Sequence, residues 1–171
     1  MTAPLPASGT SRVQTLLGVI FGTRPAALPT DLGLVAARIG LAWIFIYYGG
    51  GKLFGWFNGL GIHGTALYFS NTAHLHPGGF FAVLGGITEL GGGIAIALGL
   101  GTRLVGFALF ADMVMAMITV TWSTGLSSHT APPGYQINLA LAVLAILVGA
   151  SGAGRFSVDA LAGPRIAALK E

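Results

Sequence analysis

Residues 85–99 read GGITELGGGIAIALG, and this stretch decides the fold. It is apolar enough to lie in a bilayer, yet Glu89 stands near its middle. On a helix, the positions three, four and seven residues away share the face of Glu89; they are Ala82, Gly85, Gly86, Gly92, Gly93 and Ile96. A face of small residues lets a second helix approach closely, as is common in lipid. An ionisable group on such a face is a functional candidate, and a purely structural ion pair is the alternative.

The composition of the whole chain fits the same environment. Of its 171 residues, 54% are hydrophobic and 8% are charged, which excludes an ordinary soluble globular domain. This length holds about four spans of ~20 residues. We therefore predict an all-α integral membrane four-helix bundle with spans at about 32–53, 80–100, 103–122 and 135–152. The absence of cysteine excludes disulfides, thiolate metal sites and thiol chemistry by this chain itself.

The regions outside the spans complete the predicted domain organisation. Residues 1–30 are predicted to be a disordered and interfacial segment, in which 11–21 form an amphipathic helix on the membrane surface. A signal peptide is the alternative for that helix. Residues 31–153 form the four-helix domain, and residues 154–171 form a cytoplasmic tail.

The basic residues at the ends of the spans and outside them indicate the orientation. Six of them fall on the side that holds both termini, and only Lys52 falls on the other. The six are Arg12, Arg24, Arg103, Arg155, Arg165 and Lys170. Because cytoplasmic loops carry the excess of Lys and Arg, both termini are predicted to be cytoplasmic. This topology explains the net charge of +3 without any nucleic-acid partner.

Three charged side chains are predicted inside the membrane. Arg38 lies about 9 Å into the first span, and Glu89 and Asp112 lie about 14 Å into theirs, at ~1.5 Å per residue. We predict that Arg38 pairs with one carboxylate while the other is protonated or hydrated. Glu89 and Asp112 are therefore candidate catalytic residues that handle protons. A permanently protonated Asp112 without a function is the alternative.

Two further polar residues lie nearer the outer boundary. Lys52 follows Arg38 on nearly the same face of the first span, and Asn138 lies at a similar depth in the fourth. With Arg38 they are predicted to bind substrate in a polar pocket. The alternative is that Lys52 extends to water and Asn138 links helices.

The histidines are the remaining candidates for a metal site. All of them are predicted on the outer face; they are His63, His74, His76 and His129. No carboxylate lies in either outer loop, so spacing alone gives little support for a metal, and no metal site is predicted.

Several of these residues stand in a pattern that resembles a known family. Its elements are Arg38, Gly51-Lys52, Glu89-Leu90-Gly91-Gly92, the turn at 98–103 and the closing GAGRFSVD at 152–159. Together they resemble the DoxX family of small bacterial membrane proteins, over roughly residues 32–161. The resemblance implies a four-helix bundle in the bacterial inner membrane. The family pattern includes positions that match Arg38, Lys52 and Glu89. It includes neither Asp112 nor the histidines.

The resemblance also implies a class of function. Relatives include the DoxD-type subunit of a thiosulfate:quinone oxidoreductase, and some DoxX proteins accompany a superoxide dismutase and a sulfurtransferase in oxidative and thiol stress. We therefore predict a subunit of a redox-linked membrane complex that interacts with a quinone and holds no covalently bound cofactor. Whether the chain is itself an enzyme stays open. The alternatives are a scaffold or assembly factor for soluble partners, and a small proton-linked transporter. The glycine-rich faces also allow a homo-oligomer.

Overall fold

The computed structural model describes residues 28–127, 129 and 133–162, and this part of the chain is helical and has no strand. The helices are α1 (Leu28–Phe54), α2 (Gly61–Asn71), α3 (Gly78–Leu98), α4 (Thr102–Ala116) and α5 (Gln136–Ser151). Helix α4 continues as a π-helical stretch, Met117–Thr121, and a 3-10 turn, Trp122–Thr124. Further short helical pieces lie at Trp56–Asn58 and at 158–162. The all-α prediction is confirmed for these residues.

Within the described residues, three helices are long and apolar enough to cross a membrane. They are Thr30–Phe54, Gly78–Leu98 and Thr102–Thr124, close to the first three predicted spans. The helix at the fourth predicted position, α5, has 16 residues and is shorter than a usual span. The amphipathic helix predicted at 11–21 and the last part of the tail, 163–171, lie outside the described residues.

One apolar core joins the four longer helices. Its buried members are Leu41 and Phe45 from α1, Ile96 from α3, Leu109 and Met113 from α4, and Leu141, Ala142, Ala145 and Val148 from α5. Helix α1 packs along α3, α4 packs along α5, and the short α2 packs against α1 and α3. We call the end of the molecule where α3 turns into α4 the tail end, and the opposite end the loop end.

The glycines around Glu89 are where neighbouring helices come close, as the sequence predicts. A Cβ on Gly92 would lie 2.8 Å from a methyl group of Leu109 on α4. A Cβ on Gly93 would lie 3.0 Å from the Ile46 side chain on α1. Larger residues would force both neighbours away, so the glycines set the spacing of α1 and α4 around α3.

The residues after α5 close the tail end. The buried Asp159 accepts hydrogen bonds from the backbone N–H groups of Gly101 (2.8 Å) and Thr102 (3.0 Å) at the start of α4. The buried Asp31 accepts the backbone N–H of Arg155 at 3.1 Å. Both carboxylates satisfy N–H groups that would otherwise lack partners. The part of the predicted tail that the structure describes is therefore packed onto the helices.

Candidate functional site

The centre of the candidate site is a buried ion pair between α1 and α3. The Lys52 ammonium lies 2.5 Å from Oε1 of Glu89. The Glu89 side chain is 2% exposed and that of Lys52 is 28% exposed, so the acid is enclosed while the base keeps contact with the surface. An enclosed carboxylate needs such a partner, because burying an unpaired charge is costly.

The register of the helices explains this pairing. Gly49 of α1 lies against Leu90 of α3, which places the last turn of α1 level with the middle of α3. Lys52 therefore reaches Glu89 although it stands only two residues before the end of its own helix. On the other side of α3, the contact between Gly92 and Leu109 brings Asp112 to the same level.

Asp112 joins the ion pair and completes a cluster of one base and two acids. Its carboxyl lies close enough to the Glu89 carboxyl for the two groups to interact. A proton can pass between two carboxyls only when one of them carries it. Glu89 Oε2 and Asp112 Oδ2 are buried and accept no hydrogen bond from a donor in the described part of the chain. The cluster is therefore incompletely satisfied, as sites that take a ligand or exchange protons are.

A cavity of about 470 Å³ opens beside this cluster, between α3, α4 and the loop end of α5. We call it the carboxyl cavity. Its polar lining includes Lys52, Thr88, Asp112 and Asn138, joined by the hydroxyl-bearing Tyr68, Thr119 and Thr121, and the remaining lining is apolar. The structure thus brings three of the predicted site residues, Lys52, Asp112 and Asn138, to one cavity, with Glu89 behind Lys52. Its size and its few polar groups are typical of a site for a small organic ligand.

Arg38 lies elsewhere, and its predicted pairing with Glu89 or Asp112 is wrong. The guanidinium donates to the carbonyls of Ile96 (2.9 Å), Ala97 (2.7 Å), Ala153 (2.8 Å) and Phe156 (2.9 Å).

The physical reason is the offset of α1 along α3. It places Arg38 level with the C-terminal end of α3, about 18 Å along the helix from the level of Glu89. There the cation binds the last carbonyls of α3, at the negative end of the helix dipole. Arg38 lines neither the carboxyl cavity nor the second cavity described below, so this position does not favour the substrate-binding role predicted for it.

The comparison with protein families decides the identity. The family model DoxX matches residues 33–122, which is more than half of the chain. The chain belongs to the DoxX family. The resemblance drawn from the sequence is confirmed, and with the long apolar helices it makes this a membrane protein. Comparisons with curated proteins and with solved structures find no match.

The matched part of this DoxX protein holds most of the site. It includes Arg38, Lys52, Glu89 and Asp112 and ends before Asn138. Asp112 is not one of the residues that match the family pattern drawn from the sequence. It nevertheless belongs to the cluster, because it lies at the same height along α3 as Glu89. The closing motif at 152–159 lies outside the match and supplies Asp159 and two of the carbonyls that Arg38 binds.

Sequence reasoning missed several residues of the site. Thr88, Tyr68 and Phe69 all line the carboxyl cavity. Thr88 is the one polar neighbour of Glu89 in an apolar stretch, which was an available signal. Nothing in the sequence around Tyr68 and Phe69 indicates that they belong to the site. Their position depends on how the segment between α1 and α3 folds back onto those helices.

The outer histidines form no metal site in the described residues. No three His, Cys, Asp or Glu side chains lie close enough together there to hold an ion. His63 stands on α2, and His74 and His76 stand in the turn before α3. His129 is exposed in the segment between α4 and α5.

Proposed function

We propose that this DoxX protein is a redox-linked membrane subunit that binds the head group of a small quinone in the carboxyl cavity. The observation that carries the proposal is the position of the half-buried Asp112 on a mostly apolar cavity, with the ion pair of Lys52 and Glu89 behind it. Reduction of a quinone to a quinol takes up two electrons and two protons. A carboxyl group beside the ring oxygens is the kind of group that supplies such protons.

The lining of the cavity matches the polarity of such a ligand. Quinone oxygens accept hydrogen bonds, and Lys52 and Asn138 are donors. Among the described residues, the Asn138 amide has only a long contact, 4.0 Å, to the Met113 sulfur, so it has donor capacity to spare. Leu84 and Met115, which are 49% and 46% exposed, also line the cavity. In a membrane these side chains face lipid, from which a hydrophobic ring compound enters.

The membrane arrangement belongs to the same proposal. Helix α5 is the fourth span, since it contributes to the common core and packs along α4. Its 16 residues extend about 24 Å, which is short for a hydrocarbon core of about 30 Å. The distribution of Lys and Arg favours an orientation with the tail end and both termini in the cytoplasm of a bacterial cell, and with the loop end outside.

The electrons come from outside this chain. Without cysteine, it supplies no thiol of its own. Two thiols or two thiosulfates, presented by a soluble partner such as a sulfurtransferase, give up the two electrons that reduce one quinone. Each pair of thiols then yields one disulfide, or each pair of thiosulfates one tetrathionate.

A binding measurement tests the proposal without any partner protein. The protein in lipid nanodiscs is titrated with a short-chain ubiquinone analogue and the heat of binding is recorded. Ala111→Phe places a ring in the wall of the carboxyl cavity, and Asp112→Asn removes the acid. We expect each to weaken binding at least tenfold. Ala36→Phe, on the exposed face of α1, is the matched control and should bind normally. Unchanged binding by both cavity variants would overturn the proposal.

A scaffold is the second candidate, favoured by the apolar surface at the tail end. Phe156 and Leu161 are 52% and 74% exposed on the segment that closes the helices. Such residues suit a contact with a soluble partner or with the membrane surface. If the chain is only a scaffold, Phe156→Ser with Leu161→Ser should abolish copurification of the partner while the carboxyl-cavity variants retain it.

A further inference from the structure

A second cavity, of about 310 Å³, lies at the loop end between the end of α1 and α2. We call it the loop cavity. Aromatic rings form much of its wall, among them Tyr47, Tyr48, Trp56 and Phe57. Tyr47 stacks on Phe57 with ring centroids 4.7 Å apart. Tyr47 and Tyr48 are 42% and 50% exposed, so the loop cavity lies at the surface.

The segment that forms this wall adopts an unusual backbone conformation. Phe57 and Asn58 have φ angles of 56° and 64°, which non-glycine residues rarely adopt. Gly59 fixes the segment onto α1, since a Cβ there would lie 2.5 Å from the Gly51 carbonyl oxygen. Strained residues of this kind persist where the surrounding structure holds them, and they cluster at functional sites.

Only a thin wall separates the loop cavity from the carboxyl cavity. Lys52, Tyr68 and Phe69 line both. Tyr68 and Phe69 are half-buried on α2, and Lys52 holds its ammonium on Glu89. The Lys52 side chain is flexible and 28% exposed, which makes it the member of the wall that can move most easily.

We propose that the loop cavity is the aqueous route by which water and protons reach Glu89 and Asp112, and that the ion pair of Lys52 with Glu89 closes it. This inference deepens the proposed function by giving the carboxyl pair access to water. It rests on the proposed function for the use of the protons, but the two cavities and the wall between them do not depend on a bound ring compound. It also assigns the exchange to one side of the membrane, the side of the loop end.

Proton transfer itself opens the route. Ionised Glu89 holds the ammonium of Lys52 in the wall. When a proton from water in the loop cavity reaches Glu89, the carboxyl becomes neutral and the attraction is lost. The Lys52 ammonium, released from the carboxylate, turns toward the water. Once Asp112 has given its own proton to the ligand, the proton on Glu89 passes to Asp112 through the contact between the two carboxyls, and Glu89, again ionised, draws Lys52 back.

The absence of native cysteine makes this route measurable by single-cysteine labelling. Thr88→Cys reports on the carboxyl cavity, Tyr48→Cys on the loop cavity and Arg155→Cys on the tail end. A water-soluble, membrane-impermeant sulfonate thiol reagent is added to one side or the other of sealed vesicles. We expect Thr88→Cys to react from the side that labels Tyr48→Cys and not from the side that labels Arg155→Cys. Correct labelling of the two end positions verifies insertion in every variant.

Closure of the route by the ion pair of Lys52 with Glu89 gives a second expectation. Glu89→Gln removes the charge that holds Lys52, so it should raise the labelling rate of Thr88→Cys at least threefold and leave that of Tyr48→Cys unchanged. Lys52→Met should also raise it, because the ammonium no longer anchors the wall.

Three results would overturn the inference. They are labelling of Thr88→Cys from the tail side, labelling only by a lipid-soluble maleimide, and a rate that neither variant changes. The two proposals can fail separately. Labelling as expected without binding of the ubiquinone analogue would defeat the proposed function alone, and binding without aqueous labelling would defeat the access route alone.

Discussion

Replacing Lys52 with methionine tests how much the buried ion pair contributes to stability. Methionine keeps most of the apolar stem and removes the ammonium 2.5 Å from Glu89. The acid is 2% exposed, so it cannot turn to water. Removal of one partner from a buried pair costs about 3–5 kcal/mol, and we expect a loss of unfolding free energy in that range near neutral pH. Protonation of Glu89 cancels the stranded charge, so the deficit relative to the unsubstituted protein should shrink as the pH falls.

A double-mutant cycle separates the pair from each residue alone. Glu89→Gln should cost less than about 2 kcal/mol, since the remaining Lys52 ammonium reaches the surface. In the double variant no charge is stranded, so it should be more stable than Lys52→Met alone by about 2 kcal/mol. Denaturant unfolding in lipid–detergent mixtures at several pH values gives all four free energies.

The control for this cycle is an ion pair whose base is exposed and whose acid, the buried Asp31, keeps a second partner in the backbone N–H of Arg155. Arg155 lies 3.9 Å from Asp31, and its side chain is 62% exposed. Arg155→Met should cost no more than about 1 kcal/mol. If Lys52→Met is equally mild, or if the two single losses simply add in the double variant, the ion pair does not hold α1 and α3 together and the reasoning fails.

Three more predictions concern the tail end and the topology. Arg38→Met should lower the free energy of unfolding by at least about 3 kcal/mol, because the backbone carbonyls that Arg38 binds lose their charged donor. Arg38→Lys should restore only part of that loss, and unfolding measurements on both variants check this. Gly99→Ala should lower the free energy of unfolding by more than about 1 kcal/mol, since φ at Gly99 is 67° and the new Cβ would lie 2.7 Å from the Arg38 guanidinium. Gly91→Ala is the control: no atom lies within 4 Å of its new Cβ, so it should be neutral or stabilising. Reporter fusions after Arg165 and within 127–130 should lie on opposite sides of the membrane, and the same side for both would contradict the four-span topology.

The sequence predicts the helices well because their signals are local. Apolar length predicts the three long helices, and the αL glycines Gly99 and Gly101 punctuate the turn between α3 and α4. The glycine face around Glu89 likewise predicts close helix contacts there, and the structure confirms them. For these features, the residue types alone determine the local outcome.

The pairing of the charges could not be predicted, because it depends on how far the helices slide past one another. Depth counted from the ends of the predicted spans assumes that all helices begin level. Helix α1 instead runs past α3 at the tail end and stops beside its middle at the other. That offset carries Arg38 away from Glu89 and brings Lys52 to it. It also leaves room at the loop end for α2, which supplies Tyr68 and Phe69.

This offset also sets the charge balance of the site. At the level of Glu89 and Asp112, one ammonium faces two carboxyls, because the other cation of α1, Arg38, is committed to backbone carbonyls. An uncompensated negative charge at that depth costs several kcal/mol, so the cluster is most stable when one of the two carboxyls carries a proton. Two buried carboxyls sharing one proton can release it with the least rearrangement when another charge or ligand oxygen arrives. The excess of carboxyls over ammonium groups makes the cluster costly to bury. It also suits the cluster to exchange a proton with a ligand in the carboxyl cavity.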